Sequence, residues 1–409
     1  MKIAILGYGI EGKSAEKFLR KQLRGSASKL EIRDVKKQGK DYLKNLQDFD
    51  MLVRSPGIPY LSSEIQKAKK AGVEITSTTK LFFKYAKGLL IGITGTKGKG
   101  TTATLLYEIL KAGHLASRTP SGGNIHLIGN MGIPMLDELP KLSKNSISIL
   151  ELSSFQLQDM DVSPHIAVVL DISPDHLNYH KNFKEYLEAK ARLVKNARQV
   201  FYFSDNKYSR QISQKCRGKK IPVLADKKLK LKIPGAHNIK NASMASVIAL
   251  SLGVKESIID KTVRNFKGLP HRLEFVCEIH GVKFYNDSAS TNPAATIAAI
   301  SAFDEPKILI MGGTSKGASF IPLKKVTKEK KVREVILFGA NQVEIERAIK
   351  GSVKILKVKT LREAGELARK LSKTGDIIIF SPASASFDMF KNYEERGKAF
   401  KKMVNLIGS

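Results

Sequence analysis

The feature that most constrains this chain is the passage from the apolar run Leu89-Leu90-Ile91-Gly92-Ile93 into Gly95-Thr96-Lys97-Gly98-Lys99-Gly100-Thr101-Thr102. A short strand that enters a glycine-rich turn and leaves as a helix over 101–111 is one half of a strand–crossover–strand unit in a parallel sheet. The turn's backbone N–H groups and the helix N-terminus aim at one point, the arrangement that cradles a polyphosphate. Lys99 supplies a point charge for the outer phosphates. A standard phosphate loop has Ser or Thr after its lysine to hold Mg²⁺, and here Gly100 stands there. The loop predicts a bound nucleotide phosphate and leaves the metal's hydroxyl ligand open.

The same alternation of apolar runs and amphipathic stretches recurs along all 409 residues, more than one core can serve. It predicts three α/β domains, 1–87, 88–268 and 269–409. In the first, strand 3–6 turns through Gly7-Tyr8-Gly9-Ile10-Glu11-Gly12 into helix 14–24, and strands 30–32 and 51–53 follow. The second adds strands 147–152, 166–170 and 200–203, surface hairpins or loops over 205–232, and helix 241–252. The third carries strands 282–285, 307–311, 335–338 and 377–380. Two cysteines, no apolar run near the ~18 residues of a spanning helix, and no signal-peptide pattern predict a cytoplasmic protein without membrane insertion. The formal charge of +32 comes from lysines spread over nearly every helix, with no basic tail and no RNA-binding motif. It reads as a solvated surface that draws anionic substrates, with no specific nucleic acid.

Several groups stand where strands end, the place ligands occupy in open parallel sheets. Gly7–Gly12 followed by Asp34 fits a dinucleotide or diphosphate turn, or a tight strand–helix turn with no ligand. Glu151, Asp171, Asp175 and His176 close neighbouring strands beside the loop and suggest a Mg²⁺ site. Lys190 shares a helical face with Tyr186, Leu187, Leu193 and Val194 over 183–194. Such a lysine either snorkels to water or is a desolvated amine that reacts as a nucleophile or takes up CO₂. Arg272 and Lys316 suit anions in the third segment.

Together, TGTKGKGTT (94–102), GNMGIP (129–134), ELSSFQL (151–157), DH (175–176), YLEAK (186–190), GAHNIKN (235–241), LPHRLE (269–274), NDSASTNP (286–293) and SPASASFDMFKNYEERG (381–397) resemble the Mur ligase family over essentially the whole chain. The resemblance implies a Rossmann-like N-terminal domain, a central mononucleotide-binding parallel sheet and a Rossmann-like C-terminal domain. It implies that ATP phosphorylates the carboxylate of UDP-N-acetylmuramoyl-L-alanine and that the amine of D-glutamate displaces phosphate from the acyl phosphate. By the same resemblance, Lys99, Glu151, His176, Lys190 and Arg272 are catalytic. ATP is held by Gly95, Thr96, Lys97, Gly98, Lys99, Gly100, Thr101, Thr102, Asn238, Asn241, His271 and Asp287. The two substrates are held by Ile10, Asp34, Ser55, Gly57, Asn130, Thr291, Lys316, Ser386, Phe387 and Tyr393. Two Mg²⁺ sites draw on Thr101, Glu151, His176 and a carbamylated Lys190, and the enzyme acts as a monomer. Three residues depart from the family pattern: Gly100, Ala289 in place of a lysine, and Asp171 in place of an asparagine. A sister ligase with another amino acid and a basic nucleic-acid-binding ATPase are the competing readings.

Overall fold

The computed structural model describes residues 1–24, 26–117, 124–129, 133–177, 179–315 and 317–408. Sixteen strands among the described residues form three sheets. In the first, β1 (Lys2–Leu6), β2 (Lys29–Arg33), β3 (Met51–Arg54) and β4 (Glu74–Ser77) are all parallel in the order β2-β1-β3-β4. The second contains β5 (Leu89–Thr94), β6 (Ile125–Gly129), β7 (Ile147–Glu151), β8 (Ile166–Val169), β9 (Gln199–Phe203) and β10 (Lys219–Val223), parallel in the order β10-β9-β8-β5-β7-β6. The third orders β11 (Glu274–Ile279), β12 (Val282–Asn286), β13 (Lys307–Gly312), β14 (Val332–Phe338), β15 (Lys354–Lys357) and β16 (Ile377–Phe380) as β11-β12-β16-β13-β14-β15, with only β11 antiparallel. The chain divides into two compact units, 1–227 with 240–262, and 228–239 with 263–409; the first two sheets lie in the former and the third in the latter.

Central strands are covered on both faces, so they read as continuous apolar runs. β8 (Ile-Ala-Val-Val) and β16 (Ile-Ile-Ile-Phe) are buried at every position. Leu150, Leu152, Val169, Leu193 and Val194 meet in the core of the first unit, each contributing about 1.5–3 kcal/mol of transfer free energy.

β4, β6, β10, β11 and β15 went unread in the sequence, and each is an edge strand. Residues 205–232, expected as hairpins or loops, contain the helix Lys207–Ser213 and β10. β10 reads Lys-Lys-Ile-Pro-Val with its two lysines exposed, the charge and proline that keep an open edge from pairing further. A second correction concerns the strand ends: β7 and β8 flank β5 on opposite sides and do not adjoin each other.

Candidate functional site

The loop after β5 is fixed from both sides. Glu151 stands beside Ile93 in the β5–β7 register, and the Leu152 N–H donates to Ile93 O at 2.9 Å. Thr94 Oγ1 donates to Leu152 O at 3.0 Å. From β8's side, the Thr96 N–H donates to Asp171 O at 2.9 Å, and Thr96 Oγ1 accepts from the Ser173 N–H at 3.0 Å. The helix Lys99–Ser117 begins inside the motif, two residues earlier than its apolar pattern predicts. Lys99 Nζ donates to Gly95 O and Thr96 O at 3.1 and 3.2 Å, folding the amine back over the turn. Gly98 has φ +84°, and a Cβ there would lie 2.3 Å from Asn241 Oδ1. Lys97 is exposed, Gly95 and Thr102 are buried, and Gly100 and Thr101 are half-buried.

Lys190 is only 2% exposed. Its amine donates to Gly95 O at 2.9 Å and Thr94 Oγ1 at 3.3 Å, and lies 4.7 Å from the centre of the Tyr186 ring. Burial holds its pKa well below the ordinary lysine value, and the Lys99 charge lowers it further while Asp175 opposes. The helix carrying it, Phe183–Ala191, starts at an Asn182 cap and buries Tyr186 as its apolar face predicts. The Tyr186 hydroxyl lies 2.9 Å from Thr96 Oγ1, and burial raises its pKa to about 12.

His176 sits after β8 with φ +54° and Nε2 3.7 Å from Asp175 Oδ2. Burial lowers its pKa, and the ring packs on Phe155 at 4.8 Å. The neutral imidazole this favours is the form that ligates a metal. Glu151, 8% exposed, ends β7. Among the described residues no three His, Cys, Asp or Glu side chains stand together around one point. The donors expected for Mg²⁺, Glu151, His176 and the Thr101 hydroxyl, are sparse and mainly oxygen. That composition suits an ion that keeps several waters and substrate phosphate oxygens in its shell. Thr102 Oγ1, in the same helical turn, is buried without a hydrogen-bond partner.

A polar network that no local pattern announces ties these segments together. His180 bonds Ser154 Oγ through Nε2 at 2.8 Å and Glu185 through Nδ1 at 2.5 Å. Gln158 Nε2 donates to Glu185 at 2.9 Å, while its Oε1 accepts from the Tyr60 N–H at 3.1 Å. Arg54, fully buried, pairs with Asp159 at 2.7 Å and donates to Phe155 O and Ile58 O. The Tyr179 hydroxyl donates to Pro56 O at 3.1 Å, so the turn holding Ser55 and Gly57 is pinned to the segments that carry Glu151 and His176. These pairings span up to 123 residues of sequence, and no spacing rule reaches that far.

At the first glycine motif, the Tyr8 N–H donates to Asp34 Oδ2 at 2.6 Å and Asp34 Oδ1 caps the next helix through the Lys36 N–H. These backbone donors lower the Asp34 pKa. Ser55 Oγ donates to Gly7 O at 2.8 Å, and Ile10 is 61% exposed. Asn130 and Lys316 lie outside the described residues.

In the second unit, Asp287 follows β12 and is buried among three donors, Ser290 Oγ (2.5 Å), Ser381 Oγ (2.7 Å) and the Leu273 N–H (3.1 Å). Burial still prevails and raises its pKa to about 6. His271, at φ +65°, lies 2.9 Å from Asn286 Nδ2 through Nδ1, and burial lowers its pKa. Arg396 is 1% exposed; it donates to Ser288 Oγ and to the carbonyls of Ser288, Ser384 and Ala385, with its pKa lowered to about 10 by burial. It holds the Ser384 and Ala385 carbonyls; Ser386 beside them is buried and Phe387 is 67% exposed. Tyr393 begins the last helix and its carbonyl accepts from Ser288 Oγ at 2.8 Å. Arg272 is exposed and Thr291 half-buried. Asn238 donates through Nδ2 to Pro234 O at 2.6 Å.

A phosphate-type loop beside a desolvated lysine, on a parallel sheet followed by a second α/β unit, is the architecture of an acid–amino-acid ligase of the Mur type. Residues 93–226 match the Mur ligase middle domain and residues 271–384 the Mur ligase glutamate ligase domain, and the chain belongs to the Mur ligase family. It is 36% identical to the UDP-N-acetylmuramoylalanine–D-glutamate ligase of Acetivibrio thermocellus, an alignment covering 99% of this chain and 96% of that one. It is 38% identical to the enzyme of the same name from Caldanaerobacter subterraneus subsp. tengcongensis over 88% and 84%. Its fold is shared with MurF ligase from Thermotoga maritima, solved in complex with ADP, at a TM-score of 0.61 and 17% identity over 99% and 95% of the two chains.

Proposed function

We propose that this chain is an ATP-dependent ligase that joins D-glutamate to UDP-N-acetylmuramoyl-L-alanine in peptidoglycan precursor synthesis. The observation that carries the reading is the Lys190 amine, buried against Gly95 O at the phosphate loop, in a chain whose near-full-length relatives bear that ligase name.

The substrate carboxylate oxygen attacks the γ-phosphorus, the bond to the β-phosphate oxygen breaks, and ADP leaves. The amine of D-glutamate then attacks the acyl carbon, loses a proton and expels phosphate. Lys99 and the loop N–H groups hold the β- and γ-phosphates as charge shifts between them. Glu151, His176 and Thr101 would hold Mg²⁺, which neutralises phosphate charge when bound. Burial lowers the Lys190 pKa and so favours the neutral amine, whose nitrogen can add to the carbon of CO₂ and release one proton. The resulting carbamate would hold a second ion through its oxygens. Asn238, Asn241, His271 and Asp287 serve the adenosine, and Arg272 the transferred phosphate. Ile10, Asp34, Ser55, Gly57 and Asn130 serve the UDP substrate; Thr291, Lys316, Ser386, Phe387 and Tyr393 serve the amino acid. The three functional segments are 1–87, 88–268 and 269–409. The protein works as a cytoplasmic monomer, without specific nucleic acid or membrane insertion; among the described residues no helix is long and apolar enough to cross a membrane.

ADP release by the purified chain should require both UDP-N-acetylmuramoyl-L-alanine and D-glutamate. Equal ADP release without the amino acid would overturn the reading. A panel of amino acids scored by product mass separates it from a sister ligase.

A further inference from the structure

Residues 171–173, directly after β8, form a junction whose side chains have no role in the ligase reading above. Its backbone grips the phosphate loop: Asp171 O accepts from the Thr96 N–H at 2.9 Å. Ser173 bonds the Thr96 hydroxyl through both N–H and C=O, each at 3.0 Å. Asn206, after β9, clasps Ile172 by its N–H and its carbonyl at 3.4 and 3.2 Å. The Asp171 carboxylate faces the other way and accepts from Lys240 Nζ at 2.8 Å. Lys240 also donates to Asp205 at 3.0 Å, and its ammonium lies 4.4 Å from the Phe203 ring centre. Its side chain is only 18% exposed, so the ring and two carboxylates leave it one geometry.

Lys240 precedes Asn241 in the helix Ala236–Ser251, and Asn241 Oδ1 is the atom nearest the face of Gly98. One residue, Asp171, thus touches the loop through its backbone and the Asn241 helix through its carboxylate. Lys240, next to Asn241, is held by the two carboxylates Asp171 and Asp205. We propose that Asp171, Lys240 and Asp205 form a positioning clamp that sets the distance between the phosphate loop and the Asn241 helix, and so tunes ATP affinity without touching the reacting atoms. This rests on the reading of the loop as an ATP site.

The test is a kinetic and binding comparison on the full chain. Lys240→Met keeps the apolar stem on Phe203 and removes the charge. It should raise the KM and the directly measured Kd for ATP by about tenfold, leaving kcat within about twofold and the KM values of the other substrates unchanged. Lys240→Arg should restore ATP affinity to within about threefold. Asp171→Asn combined with Lys240→Met should cost no more than Lys240→Met alone, because the two act as one unit. Unchanged ATP affinity in Lys240→Met overturns the clamp. So does a joint rise of all KM values with a fall in thermal midpoint, which marks a generally loosened fold. Calorimetric titration with ATP separates this from the ligase reading: wild type that binds ATP but forms no product removes that reading and leaves the clamp testable. Wild type that binds no ATP removes both.

Discussion

Two strand–glycine-turn–helix units stand in the first compact unit, and they share a backbone pattern while differing in charge. At residues 7–12 carboxylates take the turn's donors, with Lys13 and Lys37 over the Tyr8 ring beside them. Asp34 already takes the Tyr8 N–H, Glu16 accepts from the Tyr8 hydroxyl, and Glu11 enters the first helical turn. At residues 95–100 the neighbouring charges are Lys97 and Lys99, and the Lys99 amine is folded over the turn. Carboxylates accept from hydroxyl and imide N–H groups and repel phosphate, whereas ammonium groups do the reverse. Glycines set the shape of such a turn and the flanking charges decide its ligand. Under the proposed function, the first turn serves the UDP substrate and the second the phosphates of ATP.

The sharpest break of that comparison is Lys99→Met. It should lower kcat/KM for ATP-dependent product formation by about 10³-fold or more, since the lysine offsets charge that moves during phosphoryl transfer. Glu11→Gln should leave kcat within about twofold. Equal losses in both variants, read by ADP release, would erase the functional distinction between the turns.

Lys190→Ala comes next, with an expected loss of about 10²–10³-fold. A short carboxylate such as formate or acetate should restore part of the rate, because it replaces the oxygens of a carbamate rather than the amine. Full activity without rescue removes Lys190 from the chemistry; loss without rescue leaves it only the structural bonds to Gly95 and Thr94.

How far these turns could be read from sequence follows from where burial is two-sided. β5, β7 and β8 are flanked on both edges, so their apolar runs stand out, and the loop follows from β5 by position alone. For Lys190 the helical face shared with Tyr186 left two readings, an amine snorkelling to water or a desolvated one, and its burial is what the structure adds. Edge strands such as β10 and β15 carry lysines at exposed positions, which dilutes the apolar signal. The Arg54–Asp159 pair and the Ser154–His180–Glu185 chain were illegible for a different reason. Each joins residues whose partners are chosen by sheet packing, and sequence spacing carries no trace of that choice.

Gly98→Ala against Gly9→Ala tests the two backbones directly. Gly98 has φ +84° and Asn241 in the way, so alanine should cost about 2–3 kcal/mol of stability and weaken ATP binding. Gly9 has φ −74° and nothing within 4 Å of a built Cβ, so alanine there should change stability by less than about 0.5 kcal/mol. Denaturant unfolding of the two variants reads the difference. Equal costs would mean that the first turn tightens in a way its open geometry does not reveal.

The smallest effect concerns the sign of charge in the first turn. Burial raises the pKa of Glu11, and Asp137 adds to it while a bond from Thr78 opposes. A carboxyl with a raised folded-state pKa costs nothing below its unfolded value near 4.5, where it is protonated in both states. The cost appears as pH rises through the folded pKa and is fully present at neutrality. Glu11→Gln should therefore gain stability relative to wild type at pH 7, by less than about 1 kcal/mol, and lose that advantage near pH 4. Asp34 has the opposite shift, lowered by the Tyr8 and Lys36 N–H groups. Asp34→Asn should lose stability at pH 7, with the deficit closing as pH falls through the folded Asp34 pKa. Thermal midpoints relative to wild type should fall for Glu11→Gln as pH drops from 7.5 to about 4, and rise for Asp34→Asn as pH drops below about 3.8. If they run parallel, the two carboxylates share one environment, and the turn does not separate a desolvated acid from a hydrogen-bonded one.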